Sequence, residues 1–245
     1  MRLRASKLCW ALVRPEPRRA LVRHRVLASS EHQRAPMRSS YGTVLDVGSH
    51  RGQFAVFAAH RFPGASIHCF EPQPAPRARL ARVAASLSSE IMVSPYAAAE
   101  TSGRVAMHVS ARDDSSSLLP IAPDGQAKTF PGTNAVGMIE VELRPLDELL
   151  QAVTLVRPVL LKIDVQGSEL DALRGAPRTL ERVDDVLVEG SFRELYTGQP
   201  LVSAVLGELF TRGYELLDID VSVEDRMGPV QADMFLRRSR RPSDE

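Results

Sequence analysis

From Thr43 onward the chain alternates short β-branched apolar runs with stretches of helical periodicity, a pattern that predicts parallel βαβ units rather than a sandwich. Thr43 to Val47 is the first predicted strand. A helix is expected over Gln53 to Arg61, with Phe54, Ala55, Phe57, Ala58 and Phe62 on its packing side and Pro63-Gly64 ending it. Ser66 to Phe70 reads as the second strand, Pro76 to Leu87 as the next helix and Ile91 to Ser94 as the third strand. Between Arg104 and Leu150 the rhythm changes. Val105–Val109 and Ile139–Leu143 are strand-like and flank a long polar stretch, which predicts an inserted β-arm with a loop of the kind that often carries function. Alternation resumes with strand Val159–Asp164, helix Glu169–Leu180, strand Val186–Glu189, helix Pro200–Arg212 and strands Tyr214–Ile219 and Ala232–Leu236. The expected fold is α/β, a mostly parallel central sheet flanked by helices.

The 245 residues, 44% of them hydrophobic, suffice for one core and one catalytic domain. No apolar run approaches the roughly 20 residues of a membrane span. The apolar stretch Leu8–Val13 is shorter than a secretory h-region, and Arg14-Pro15-Glu16-Pro17 stands where a cleavage site would lie. Cys9 and Cys69 suggest neither a disulfide framework nor a metal knuckle, so a reducing, cytoplasmic setting is expected. The net charge of +1 conceals an asymmetry, because residues 1–40 carry ten basic side chains against Glu16 and Glu31. Such an arm suits phosphate-rich partners or a membrane surface, and equally a weakly ordered leader that the fold can spare. We therefore divide the chain into a basic arm (1–40, with a short helix allowed over Leu21–Leu27), a catalytic domain (41–238) and a tail (239–245).

Candidate chemistry concentrates at three predicted strand ends. Asp46-Val47-Gly48-Ser49-His50-Arg51-Gly52 forms a glycine turn between a strand and a helix, where the backbone can approach a ligand and free N–H groups are available. His50 breaks the G-x-G-x-x-G spacing of dinucleotide sites, which leaves a turn suited to the amino-acid end of S-adenosylmethionine. Glu71 ends the second strand, where a carboxylate can accept both hydroxyls of a ribose. Lys162 and Asp164 end a third strand and, by alternation, share a face on which they can pair.

In order and spacing, Val44-Leu45-Asp46-Val47-Gly48, Cys69-Phe70-Glu71-Pro72-Gln73-Pro74 and Leu161-Lys162-Ile163-Asp164-Val165-Gln166-Gly167-Ser168-Glu169 resemble the FkbM family of methyltransferases. Downstream, Val188-Glu189-Gly190-Ser191-Phe192 and Gln231-Ala232-Asp233 resemble a subset of it, and the likeness spans about Tyr41 to Arg237. The resemblance implies a Rossmann-like class I methyltransferase fold, S-adenosylmethionine as donor and O-methylation of a sugar, glycolipid or small natural product. The chain departs from the family's usual Ala-Asn at Ser49-His50 and from a frequent aromatic residue at Ser168, which points to an altered pocket shape.

On this reading Asp46, Gly48, Ser49, His50, Gly52, Glu71, Tyr96 and Ala97 bind the cofactor. Asp164 is the base or orienting carboxylate, Lys162 holds its charge or the substrate oxygen, and Ser115, Ser116 and Glu189 meet the acceptor. His50 and His108 are alternative bases. No His or Cys spacing suggests a metal cluster, and neither nucleic-acid recognition modules nor aromatic content, at 5%, favour a nucleic-acid partner. Two rivals remain: a nicotinamide oxidoreductase, separable by cofactor affinity, and a non-catalytic binding module on the same fold, separable by turnover.

Overall fold

In the computed structural model, which describes residues 2–122 and 125–239, the core is a seven-stranded sheet in the order β3-β2-β1-β7-β8-β10-β9. Its parallel strands are β1 (Thr43–Val47), β2 (Ser66–Phe70), β3 (Ile91–Ser94), β7 (Val159–Ile163) and β8 (Asp185–Ser191). β10 (Gly228–Arg238) runs antiparallel between β8 and β9 (Tyr214–Asp225). β4 (Ala97–Ala98), β5 (Gly103–Ser110) and β6 (Ala135–Arg144) form a separate three-stranded sheet, the expected β-arm.

Alternation along the strands builds two cores. Leu45, Val47, Leu161, Ile163, Val186 and Val188 face one layer with α7 (Glu169–Arg174) and α9 (Val202–Thr211), whereas Val44, Ile67 and Leu160 face α3 (Gln53–Arg61) and α4 (Pro74–Ala84). α3 follows β1 directly, and its phenylalanines Phe54 and Phe57 are buried. The helix expected over Glu169–Leu180 is two pieces, α7 and α8 (Pro177–Leu180). Gly175 lies at the break, where the backbone passes so close to Ala99 that a Cβ would sit 2.0 Å from its carbonyl oxygen. Pro177 then opens the second piece, a position that its missing N–H suits. α5 (Gln126–Thr129) and α6 (Leu146–Leu149) are single turns.

The basic arm departs most from expectation. α1 (Arg2–Leu12), α2 (Pro15–His24) and a 3-10 turn at Ser30–Arg34 dock on the body instead of remaining a solvated leader. Pro15 and Pro17 fall in the first turn of α2, where proline is tolerated, so they begin the helix rather than prevent it. Ala20, Val26 and Ala28 are buried in the core of Phe54 and Phe57, and the Trp10 ring lies 6.2 Å from that of Phe57. Asp185, wholly buried, binds the segment electrostatically: its carboxylate accepts from Tyr41 Oη at 2.6 Å, Arg38 Nε at 3.0 Å and Arg237 Nε of β10 at 2.8 Å. Of the expected tail, residues 240–245 lie outside the described residues.

Candidate active site

Strand order reverses between β2 on one side of β1 and β7 on the other, which opens a crevice beyond their carboxyl ends. A cavity of about 650 Å³ occupies it. It has two chemically different halves.

The first half is built from the turn after β1. Gly48 has φ +79°, and a Cβ there would lie 1.8 Å from the Asp164 carbonyl oxygen, so only glycine fits. The turn is latched to β2: Gly48 and Ser49 donate their N–H groups to Phe70 O at 3.0 and 3.1 Å. Ser49 Oγ donates to Asp46 O at 2.6 Å and accepts from Phe70 N at 3.1 Å. Ser49 thus spends its hydroxyl on the scaffold. Glu71 Oε2 accepts from His50 N at 2.8 Å and Oε1 from Gln73 N at 2.7 Å. Each oxygen keeps a second acceptor position. Burial raises the Glu71 carboxyl to about 7, against the lowering effect of those two N–H groups. The His50 ring accepts from Gln53 Nε2 at Nδ1 (3.1 Å), which leaves Nε2–H facing Asp113 Oδ1 at 3.1 Å, and burial holds this ring below the usual histidine range. Phe70, Tyr96, Ala97, Ala98, Met107 and Leu118 give this half its apolar wall. The Tyr96 ring itself lies under the Arg144 guanidinium at 4.7 Å.

Lys162 joins the halves. Its Nζ donates to Gly48 O at 3.0 Å and lies 3.3 Å from Asp46 Oδ1 and 3.6 Å from Asp164 Oδ2, the pairing that strand alternation implied. Burial works against its charge, but Asp46 and Asp164 outweigh it and hold the ammonium above its ordinary value. Asp46 is fully buried behind it, and burial raises its carboxyl despite Lys162. Asp46 therefore supports Lys162 from outside the cavity wall, and Gly52 caps α3 with its face against Leu80.

The second half is acidic. Asp164 Oδ1 accepts from Gln166 Nε2 at 2.8 Å, and the same amide nitrogen lies 3.0 Å from Glu189 Oε2, which also accepts from Gln231 Nε2 at 3.0 Å. Gln166 adopts φ +55° and accepts from Tyr196 Oη at 2.8 Å, so its amide is oriented from both ends. Burial, reinforced by Asp164 and Asp233, pushes Glu189 well above the carboxylate range, and burial raises Asp233 to about 7. His32, from the docked arm, lines this half with Nδ1 3.5 Å from Asp233 Oδ2, and its burial depresses it to about 4.

Of the expected acceptor contacts, Ser116 and Glu189 line the cavity and Ser115 does not. Ser115 is buried, its hydroxyl turned to Asp114 and its carbonyl accepting from Tyr196 Oη at 3.0 Å, because the 3-10 turn at Asp113–Ser115 rotates it inward. His108 lies on β5, bridged to Ser117, outside the cavity wall. The sequence did not single out Gln166, Gln73, Asp233 or His32 as site residues. The place of Gln166 two positions after Asp164, inside the same strand-end motif, was the available signal for the first, whereas the arm's docking, which brings His32 in, has none. Among the described residues no group of three or more His, Cys, Asp or Glu side chains is arranged to hold a metal ion, and no helix is long and apolar enough to cross a membrane.

The chain is 28% identical over 213 residues to the 2-O-methyltransferase NoeI of Sinorhizobium fredii, an alignment covering 82% of this chain and 85% of that protein. It is 28% identical over 146 residues to the hexuronic acid methyltransferase AglP of Haloferax volcanii, covering 60% and 54%. The fold is similar to that of a protein assigned as an rRNA-methylase from Clostridium thermocellum, with a TM-score of 0.51 and 10% identity over 85% of this chain and 95% of the other. Residues 46–216, which hold the glycine turn, Glu71, Lys162, Asp164 and Glu189, match the model of the FkbM methyltransferase domain. The chain belongs to the FkbM family of S-adenosylmethionine-dependent methyltransferases.

Proposed function

We propose that this enzyme methylates a hydroxyl oxygen of a sugar, in a reducing cytoplasmic setting. The observation that carries the reading is the joining, in one cavity, of the Glu71 carboxylate, placed to accept a pair of hydroxyls, to a wall of hydrogen-bonding acids and amides suited to a polyhydroxylated acceptor. The printed activities of the two relatives, a 2-O-methyltransferase and a hexuronic acid methyltransferase, support it.

The residues fit the cofactor. Glu71 has one free acceptor position on each oxygen for the two ribose hydroxyls, the apolar wall of Ala97, Ala98, Met107 and Leu118 suits a flat purine, and the cavity volume lies in the range of cofactor sites. Tyr96 borders the same wall, while Gly48 and His50 bring backbone close to the amino-acid end. When bound, S-adenosylmethionine supplies an electrophilic methyl group on a positively charged sulfur and leaves as the neutral thioether.

The protein's task is alignment and the management of one proton. Asp164 accepts the hydrogen of the attacking hydroxyl and takes its proton as the oxygen gains the methyl carbon. Its carboxylate is fixed from one side by Gln166 and from the other by Lys162, so it points into the cavity without reorganisation. Lys162, anchored on Gly48 O and Asp46 and 3.6 Å from Asp164, ties the acceptor half to the glycine turn, so that donor and acceptor are registered by one side chain. Glu189 and Ser116 contact neighbouring hydroxyls.

The test is incubation with S-adenosylmethionine carrying a trideuterated methyl and a panel of mono- and oligosaccharides, followed by mass spectrometry. An alkali-stable label on a sugar hydroxyl is expected. Label confined to a carboxylate as an alkali-labile ester, or cofactor binding without transfer to any sugar, would sink the reading.

A further inference from the structure

Methyl transfer leaves the outer face of the docked arm unused. On α2 the exposed residues Arg18, Arg19, Val22 and Arg23 fall three and four positions apart and so form one stripe, opposite the buried Pro17 and Ala20. α4 extends it: Arg79 donates to His24 O at 2.6 and 2.9 Å, which brings the exposed Arg82 alongside. Burial, followed by the charges of Arg23, Arg82 and Arg79, lowers His24, so these guanidinium groups converge. Several arginines elsewhere find acids, as Arg38 and Arg237 do at Asp185, Arg51 at Asp113 and Arg193 at Asp225, while Arg61, Arg77, Arg182 and Arg238 bond backbone carbonyls. Among the described residues, Arg18, Arg19, Arg23, Arg25, Arg79 and Arg82 pair with no carboxylate.

Apolar side chains accompany the charge. Val22 is 70% exposed inside the arginine stripe, and Leu8 and Leu12 of α1 and Val13, 77% exposed in the turn between α1 and α2, are exposed on the segment that precedes it. Arg25 lines the cavity, so the patch runs to the mouth of the site. A soluble polyanion would be held by the arginines but gain nothing from the valines and leucines, whereas an anionic bilayer rewards both.

We infer that the α1–α2 face, with Arg79 and Arg82 of α4, is a docking surface for an anionic lipid bilayer, which brings the cavity mouth to the membrane interface. This stands independently of the sugar reading.

Purified full-length protein is floated with vesicles of phosphatidylcholine alone or containing phosphatidylglycerol, at low and high salt. Binding only to the anionic vesicles, weakened by salt, is expected. R18E/R19E/R23E should reduce partitioning on the order of a hundredfold while keeping the melting temperature and S-adenosylhomocysteine affinity, and V13S/V22S should cause a smaller loss. Three outcomes overturn the inference: wild-type protein left with the soluble fraction at low salt, variants that float like wild type, or retention by heparin or RNA without vesicle binding.

Discussion

Replacing Glu71 with alanine perturbs the cofactor and the scaffold at once, and the structure gives a magnitude for each. Two charge-assisted hydrogen bonds to ribose hydroxyls are together worth about 1.5–3 kcal/mol of binding, a tenfold to hundredfold loss of affinity. The same carboxylate accepts from His50 N and Gln73 N, at 2.8 and 2.7 Å, so its removal takes the partner from both donors. Each stranded donor costs about 1–3 kcal/mol. The glycine turn then loses its shape, so the affinity loss should reach the upper end, near a hundredfold, and the melting temperature should fall by roughly 5–20 °C. Glu71→Gln is no gentler. Its amide nitrogen would meet a backbone N–H with a second donor, so it should resemble the alanine variant. Since burial holds Glu71 near 7, wild-type affinity for S-adenosylhomocysteine should strengthen as pH rises from about 6 to 8 and that slope should vanish in Glu71→Ala. Isothermal titration calorimetry across that range, with thermal melts, is the assay. Wild-type affinity in either variant, or an unchanged pH slope in Glu71→Ala, would refute the reasoning.

Lys162→Met leaves Asp46 buried without its cation and should destabilise the fold by about 3–5 kcal/mol, while Lys162→Met/Asp46→Asn should recover much of it; a single variant as stable as wild type in urea melts would count against the pairing. Asp233 is raised to about 7 by burial, so below about pH 4 its carboxyl is protonated whether folded or unfolded, and stability falls as pH rises towards 7 because only the unfolded chain releases the proton freely. Asp233→Asn should thus match wild type near pH 4 and exceed it by up to about 4 kcal/mol at pH 8, and a pH-independent difference would exclude this. Gly48→Ala should abolish cofactor binding through the clash with Asp164 O, which calorimetry on the folded variant would check. Deleting residues 1–38 should lower the melting temperature sharply, since it strips Val26 and Ala28 from the core and Arg38 from Asp185; an unchanged melt would mean the arm's docking contributes nothing.

Strands β1, β2 and β3 and helix α3 coincide with their predicted ranges because each is a clean apolar run closed by glycine, proline or a charged residue. The hairpin of β9 and β10 extends well beyond its predicted strands, and the alternation of Ile219, Val221 and Val223 with Asp220, Ser222 and Glu224 was a period-two signal for that extension, although the outer part buries little of it. The candidate site divided along the same line. Glu71, Lys162 and Asp164 close predicted strands, and their place at the crevice follows from that alone. His32 could not be found so, because only the docking of Val26 and Ala28 against Phe54 carries it to the cavity, and no local pattern encodes contact between segments so far apart. Asp233 sits inside a strand whose antiparallel insertion decides which wall it joins.

That insertion has a consequence for synthesis. The first half of the cavity wall, from Thr43 to Ala98, leaves the ribosome early and holds the glycine turn, Glu71 and much of the apolar wall. β10 emerges more than a hundred residues later and must then slot between β8 and β9, delivering Asp233 to the opposite wall and Arg237 to the carboxylate that already gathers Arg38 and Tyr41. On the proposed assignment of the two halves, a nascent chain owns its donor site before its acceptor site, and the same stroke that seats β10 completes the clamp on the N-terminal segment. Nonsense or frameshift lesions upstream of Gly228 would release a half-site whose β8 edge is bare, a substrate for chaperones and proteases rather than a slow enzyme.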